Sequence, residues 1–137
     1  LVNIVANAVK FTPAGSIVIA LSAARDAGDE RWTIDITDTG IGIAPEYHDL
    51  IFVKFYQTGE IALHSSGKTK FKGDGPGLGL SIARGLLQAH GGSIWVESAG
   101  HDEQECPGST FHVLIPIRTE ASETKMAKLF DELEKKD

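Results

Sequence analysis

The chain has 137 residues, of which 42% are hydrophobic, and a formal net charge of −6. This length suits one domain with one core, and a negative charge without a basic stripe argues against a nucleic-acid partner. The sequence contains no apolar run of about 20 residues and no signal-peptide pattern, so it predicts no membrane span. Its single cysteine, Cys106, excludes an internal disulfide and fits a reducing, cytoplasmic compartment.

The hydrophobic pattern predicts alternating helices and hairpin-connected strands. In chain order these are a helix over 1–11, strands over 16–24 and 32–37 around a turn at 26–29, a short helix over 46–52, a long polar loop over 58–74, a helix over 77–90, strands over 93–98 and 110–117, and an amphipathic helix from 122 onward. This content indicates an α+β, two-layer α/β sandwich with a mixed or antiparallel sheet. We expect one domain over 1–117 and a helical tail over 118–137.

Three polar residues share one face of the first predicted helix. Asn3, Asn7 and Lys10 follow a spacing of four and three, and the other side of the helix is apolar. An amide oxygen is a suitable ligand for Mg²⁺, which takes few protein ligands, and a lysine can face phosphate as a point charge. A solvated helix face is the alternative interpretation.

A second block, Asp38-Thr39-Gly40-Ile41-Gly42-Ile43, ends the strand predicted over 32–37. A carboxylate at this place can accept a hydrogen bond from an exocyclic amine such as that of adenine. The two glycines allow the backbone to come close to a flat ring. A strand-ending turn capped by aspartate is the alternative.

Two further blocks surround the long polar loop. Phe52 and Phe55 anchor its start, and the loop carries a local excess of positive charge. It therefore predicts a mobile lid that closes over a polyphosphate, although a solvated loop would have the same composition. The glycine-rich segment after it opens the helix over 77–90, and such a helix start can close on an anion. The lysines of the loop are Lys68, Lys70 and Lys72, and the glycines are Gly75, Gly77 and Gly79.

These blocks, in this order, closely resemble the catalytic ATP-binding domain of sensor histidine kinases, which belongs to the GHKL superfamily with the Bergerat fold. The resemblance covers about residues 1–117. It implies an N box over 3–11, a first glycine box over 38–43, an F box over 52–55 and a second glycine box over 75–80, followed by the matching segments 90–98 and 108–111. In one departure, Pro76 stands where the family more often has a small or hydroxyl residue, which removes one N–H from the phosphate site.

The resemblance implies a role for each matching residue. Asn7 would bind Mg²⁺, Asn3 would lie near the metal's waters and the phosphates, and Lys10 would contact phosphate. Asp38 would bind the adenine amine, directly and through a water shared with Thr110. The other residues of the expected ATP site are Phe11 beside the base, Gly40 and Gly42 in the base pocket, and Gly75, Gly77, Leu78, Gly79 and Leu80 around the phosphates.

The resemblance also implies a function in two-component signal transduction. The chain would bind Mg-ATP and supply the γ-phosphate to a histidine on a dimerisation and phosphoacceptor domain, which we expect upstream because no histidine here has the setting of an acceptor. A response regulator receiver domain is the expected further partner, and the parent protein can be membrane-anchored. Hydrolysing relatives commonly carry glutamate at position 3, and Asn3 cannot accept a proton in that way.

Other functions share this pocket. A serine kinase that regulates a transcription factor and a GHKL-type ATPase are the enzymatic alternatives. A nucleotide-sensing module without activity is a third, but it would be expected to lack Asn7 or Asp38. Beyond the resemblance, Met126, Leu129, Phe130 and Leu133 form an apolar stripe in the tail, which predicts a docked helix or, alternatively, a linker.

Overall fold

Two helices and four strands make up the part of the chain that the structure, a computed structural model, describes, namely residues 1–26, 29–54 and 78–117. The helices are α1 (Val2–Lys10) and α2 (Gly79–Ala89). The strands are β1 (Ile17–Asp26), β2 (Asp29–Asp38), β3 (Ser93–Glu97) and β4 (Ser109–Ile117). Two short 3₁₀ turns, Pro45–Tyr47 and Leu50–Phe52, follow β2.

The four strands form one sheet in the order β1-β2-β4-β3, and every neighbouring pair is antiparallel. The α+β sandwich predicted from the sequence is confirmed. The lid predicted over 58–74 and the tail predicted over 118–137 lie outside the described residues. Within the described ranges, no helix combines the length and hydropathy that crossing a membrane requires.

Both helices cover the same face of the sheet, because alternate residues of β2 and β4 point toward them. Ile36 is fully buried, and Phe111, its partner on β4, meets Phe52 edge to face with ring centroids 6.3 Å apart. The helices contribute Ile4 and Ala8 from α1 and Ala83 from α2 to the core, which also contains Ile34, Ile94, Val96 and Val113.

The opposite face of the sheet carries a polar cluster. His112 on β4 shares a hydrogen bond with Asp35 on β2, at 2.7 Å between Nδ1 and Oδ1, and its ring stacks on Trp95 of β3 with centroids 5.1 Å apart. Its Nε2 lies 3.3 Å from the Glu97 carboxylate. We call the face of the sheet that carries His112 the outer face, and the face that the helices cover the helix side.

The elements differ from the predicted ones mainly at their ends. The hairpin of β1 and β2 extends through the pair Asp26 and Asp29, where the sequence predicted strands ending at 24 and beginning at 32. An ion pair between Arg25 and Glu30 joins the two strands near the turn, and the pairing of β2 with β4 continues to Glu30. The helix predicted over 46–52 is two 3₁₀ turns, the first of which begins with Pro45.

Replacing Ile36 with alanine tests whether the core lies where the structure places it. Ile36 is fully buried between β1 and β4, so Ile36→Ala should lower the free energy of unfolding by about 2–5 kcal/mol. Val18→Ala is the matched control because Val18 is exposed on the outer face, and it should change stability by about 0.5 kcal/mol or less. Urea unfolding measures both, and equal losses would contradict this core.

Candidate functional site

A buried carboxylate lies at the end of β2. The Asp38 side chain belongs to a residue only 4% exposed. Its Oδ1 accepts a hydrogen bond of 2.9 Å from the Gly40 N–H, and its Oδ2 accepts one of 2.8 Å from the Ser109 hydroxyl. Both donors are neutral, and no ion pair to Asp38 occurs among residues 1–26, 29–54 and 78–117. A carboxylate has about four lone-pair positions, so this one can accept further donors.

The turn after Asp38 packs closely on its neighbours. A side chain at Gly40 would place a Cβ atom 2.2 Å from the Phe11 carbonyl oxygen, and the Ile41 N–H donates to that same oxygen at 3.1 Å. Gly42 has a φ of +72°, and a Cβ there would lie 2.0 Å from the Gly100 carbonyl oxygen. Both positions therefore require glycine, and the contact at Gly40 holds the end of α1 against the turn.

A serine that the sequence analysis did not single out connects this turn to the segment before β4. The Ser98 hydroxyl accepts a hydrogen bond from the Ile43 N–H at 3.0 Å and donates to the Gly108 carbonyl at 2.7 Å. The Gly108 N–H in turn donates to the Gly40 carbonyl at 2.9 Å. These bonds hold the turn after β2 and the segment before β4 together beneath the site.

Asp102 stabilises the segment between β3 and β4. The backbone N–H groups of Glu105 and Gln104 donate to its carboxylate and lower its pKa below the usual value of 3.8. Because the pKa is lowered, the stabilisation is present above that usual value and is lost as pH falls through the lowered one. The Asp102 N–H also donates to the Ile41 carbonyl at 2.8 Å, which ties this segment to the turn after β2.

The polar face of α1 lies beside the start of α2. The Asn3 amide donates a 3.1 Å hydrogen bond to the Gly79 carbonyl. Asn7 follows one turn later and is half-buried. The Lys10 ammonium lies 4.8 Å from the centre of the Phe11 ring. The three residues of the predicted face therefore share α1 as expected, with Asn3 facing the second helix.

No side chain of the described residues caps the start of α2. Leu78 precedes the helix, its first turn contains no acidic residue, and the Ser81 hydroxyl bonds backward to the Leu78 carbonyl at 2.8 Å. The first N–H groups of a helix have no partner within it, and together with the helix dipole they favour a bound anion. In this molecule the start of α2 lies against Asn3.

The structure brings many of the predicted site residues together on the helix side of the sheet, but it separates one pair. Ser109 contacts Asp38, whereas Thr110 lies on the outer face, where its hydroxyl is 3.1 Å from that of Thr37. The sequence predicts a water shared by Asp38 and Thr110, but the hydroxyl that lies beside Asp38 is that of Ser109. Gly75 and Gly77 lie outside the described residues, and the ligand contacts expected of all the others stay predictions: Asn3, Asn7, Lys10, Phe11, Asp38, Gly40, Gly42, Leu78, Gly79 and Leu80.

The donors on α1 are suited to a magnesium ion that keeps most of its waters. No group of three or more histidine, cysteine, aspartate or glutamate side chains that could enclose a metal occurs in the described ranges. An amide oxygen such as that of Asn7 is a hard, neutral ligand, and Mg²⁺ is commonly bound through one or two protein ligands together with substrate phosphates. The chemistry of these residues therefore fits Mg²⁺ carried in with a polyphosphate.

Known proteins resemble this chain over most of its length. Residues 1–119 match the family described as histidine kinase-, DNA gyrase B-, and HSP90-like ATPase. Among curated proteins, the sensor histidine kinase AruS of Pseudomonas aeruginosa is 42% identical over 118 residues, which are 85% of this chain and 11% of AruS. The sensor histidine kinase WalK of Bacillus subtilis is 34% identical over 118 residues, 86% of this chain and 17% of WalK.

Solved structures show the same likeness. The mycobacterial sensor histidine kinase MprB superposes with a TM-score of 0.59 at 28% identity, covering 83% of this chain and 65% of that one. Full-length ShkA in complex with AMPPNP superposes with a TM-score of 0.58 at 34% identity, covering 82% of this chain and 19% of ShkA. The chain thus spans less than a fifth of AruS, WalK and full-length ShkA.

Adjacent residues on β4 test which face of the sheet carries the site. Ser109→Ala removes a donor to a buried carboxylate and should lower the free energy of unfolding by about 1.5–3 kcal/mol. Thr110→Ala removes a hydroxyl from the outer face and should cost about 1 kcal/mol or less. Chemical denaturation measures both variants, and a larger loss for Thr110→Ala would mean that the register of β4 differs from the one described.

Proposed function

Because the chain belongs to the histidine kinase-, DNA gyrase B- and HSP90-like ATPase family, we propose that it holds Mg-ATP and presents the γ-phosphate to a histidine on a separate phosphoacceptor domain. ATP binding by a domain of the histidine-kinase kind follows from the family. Our proposal adds three points to this: the phosphoryl group is transferred to histidine, a magnesium ion takes part, and each site residue has the role given below.

The observation that carries this proposal is the buried carboxylate of Asp38, which neutral donors hold and which has no paired cation in the part of the chain that the structure describes. Removing a carboxylate from water is costly unless it is hydrogen-bonded. An amine of the ligand can supply a further hydrogen bond to it, and adenine carries such an amine. Gly40 and Gly42 let the Phe11 and Gly100 carbonyls approach the neighbouring turn closely, which fixes its backbone beside Asp38.

The phosphates are assigned to the other end of α1. There the uncapped start of α2 provides backbone N–H groups, and Asn3 lies in contact with it. Asn7 would hold Mg²⁺, which neutralises phosphate charge when it is bound. Lys10 lies in the last turn of α1, so its long side chain would leave its place over the Phe11 ring and extend back along the helix to give a phosphate oxygen a positive charge.

The proposed reaction is a transfer of the γ-phosphoryl group. A ring nitrogen of the acceptor histidine attacks the γ-phosphorus, a P–N bond forms, and the P–O bond to ADP breaks. Hydrolysis needs a base that activates water, and an asparagine amide cannot accept a proton at neutral pH. Asn3 also donates to the Gly79 carbonyl, so its role is to position the start of α2.

The partners follow from this reaction. A dimerisation and phosphoacceptor domain would receive the phosphoryl group, and a response regulator receiver domain would take it further. The site would operate on the cytoplasmic side, where ATP is available. The sensor kinases AruS and WalK, of which this chain matches a minor part, support such a setting.

ATP binding should depend on Asp38. Calorimetry with a non-hydrolysable ATP analogue and Mg²⁺ should show binding that weakens by roughly ten- to hundredfold in Asp38→Asn, since a hydrogen bond to a charged group contributes about 1.5–3 kcal/mol. Thr110→Ala, altered on the outer face, should bind like the unchanged chain. If Asp38→Asn unfolds the protein and the folded fraction keeps its affinity, Asp38 is a structural cap and the assignment is wrong.

Transfer should require a separate acceptor. The chain with Mg-ATP alone should release phosphate very slowly, whereas the phosphoacceptor domain of its own parent protein should become labelled from γ-labelled ATP in an acid-labile, alkali-stable form. Asn7→Ala should abolish the labelling, and magnesium removal should do the same. Rapid ATP hydrolysis by the chain alone, or an acid-stable product, would favour the ATPase or the serine kinase instead.

A further inference from the structure

The hydroxyl of Thr12 is buried and has no hydrogen-bond partner within residues 1–26, 29–54 and 78–117. Thr12 follows Phe11, the C-cap residue of α1, and its Oγ1 is closed off from solvent and bonds to no described residue. A buried hydroxyl without a partner is unfavourable, because it has lost its bonds to water and gained none in return. Such a group calls for an explanation in terms of what could become its partner.

The surroundings of this hydroxyl place it beside the turn that carries Asp38. A Cβ atom built on Gly40 would lie 2.7 Å from the Thr12 Oγ1 and 2.9 Å from the Asp38 Oδ1. The two oxygens therefore border the same point of the turn after β2. Among the described residues, a second buried atom without a hydrogen bond is the Nε2 of His112, which lies on the outer face, 3.3 Å from the Glu97 carboxylate, and cannot serve this site.

Acceptors in and beside this turn bond to donors other than the Thr12 hydroxyl. The Phe11 carbonyl accepts from the Ile41 N–H at 3.1 Å, the Gly40 carbonyl accepts from the Gly108 N–H at 2.9 Å, and the Asp38 Oδ1 accepts from the Gly40 N–H at 2.9 Å. A hydroxyl that is spare in a well-bonded turn, next to a carboxylate that can accept more donors, is placed to meet a ligand.

We propose that Thr12 is a base-recognition residue, whose hydroxyl donates to a ring nitrogen of adenine when the nucleotide binds. This rests on the proposed function. Adenine carries its amine donor next to a ring nitrogen acceptor, and the carboxylate of Asp38 with the hydroxyl of Thr12 forms the complementary acceptor and donor. Guanine presents the opposite order at the corresponding positions, so the same pair disfavours it.

Rotation about the Cα–Cβ bond of Thr12 brings the hydroxyl to the ligand. Oγ1 is closed off, but the residue as a whole is only half-buried. Threonine populates more than one staggered χ1 state. In the ligand-free site the Thr12 hydroxyl thus lacks a hydrogen bond to the described residues, and nucleotide binding supplies one.

Thr12→Val and Thr12→Ser test this inference as a matched pair, because valine keeps the shape and loses the hydroxyl while serine keeps the hydroxyl. Without nucleotide, Thr12→Val should melt at or above the temperature of the unchanged chain. Its affinity for a non-hydrolysable ATP analogue should be about three- to tenfold weaker, and Thr12→Ser should restore most of it. Equal affinity in all three proteins would overturn the inference, as would a lower melting temperature of Thr12→Val without ligand.

A second test uses an ATP analogue in which carbon replaces the ring nitrogen next to the amine-bearing carbon. This analogue keeps the amine that Asp38 would bind and lacks the acceptor that Thr12 would bind. This analogue should bind the unchanged chain and Thr12→Val equally, because the acceptor is gone. A persisting difference would mean that the hydroxyl acts elsewhere and would overturn the assignment. If the unchanged chain binds no ATP analogue, the proposed function itself fails, whereas unaltered binding by Thr12→Val removes only this inference.

Discussion

The pairing of β2 with β4 is the constraint on which the rest of the site depends. Its register sets Asp38 opposite Ser109, and both side chains point to the helix side. Side chains alternate between the two faces of a strand, so a slip of one residue would move every inward group outward. The buried residues Ile36 and Phe111 fix the register, because a slip would expose them to water. The packing of the core thus decides which hydroxyl meets the carboxylate.

Helix α1 connects the two ends of the site. Its last residues lie against the turn at Gly40, and its first turn bonds to the carbonyl of Gly79. A helix rises about 1.5 Å per residue, so Asn3 and Phe11 are about 12 Å apart along its axis. A base near Asp38 and an anion at the start of α2 would therefore be spaced by one rigid element, whose buried side is fixed by Ile4 and Ala8.

The sequence predicted the elements well where one hydrophobic period extends over several residues. The helix predicted over 77–90 and the strand predicted over 110–117 agree with α2 and β4 within two residues. The short apolar segment over 46–52 carries too few residues to distinguish an α-helix from two 3₁₀ turns. The role of Ser109 was not predictable from strand propensity, because it and Thr110 both carry hydroxyls and only the register of β4 separates them. Ser98 was missed because its three backbone partners come from two loops, whose conformations no sequence period encodes.

The hydrogen bonds that build the site span long stretches of chain. Ser109 and Asp38 are 71 residues apart, and Asn3 and Gly79 are 76 apart. Contacts of such separation form late, because the loop entropy between them must be lost first. At a synthesis rate of about 5–20 residues per second, the ribosome needs roughly 4–14 seconds to make the 71 residues from Asp38 to Ser109. During that time the nascent carboxylate can bond to water and to the Gly40 N–H but not to the Ser109 hydroxyl, so the strand that supplies its second donor is also the one that completes the site.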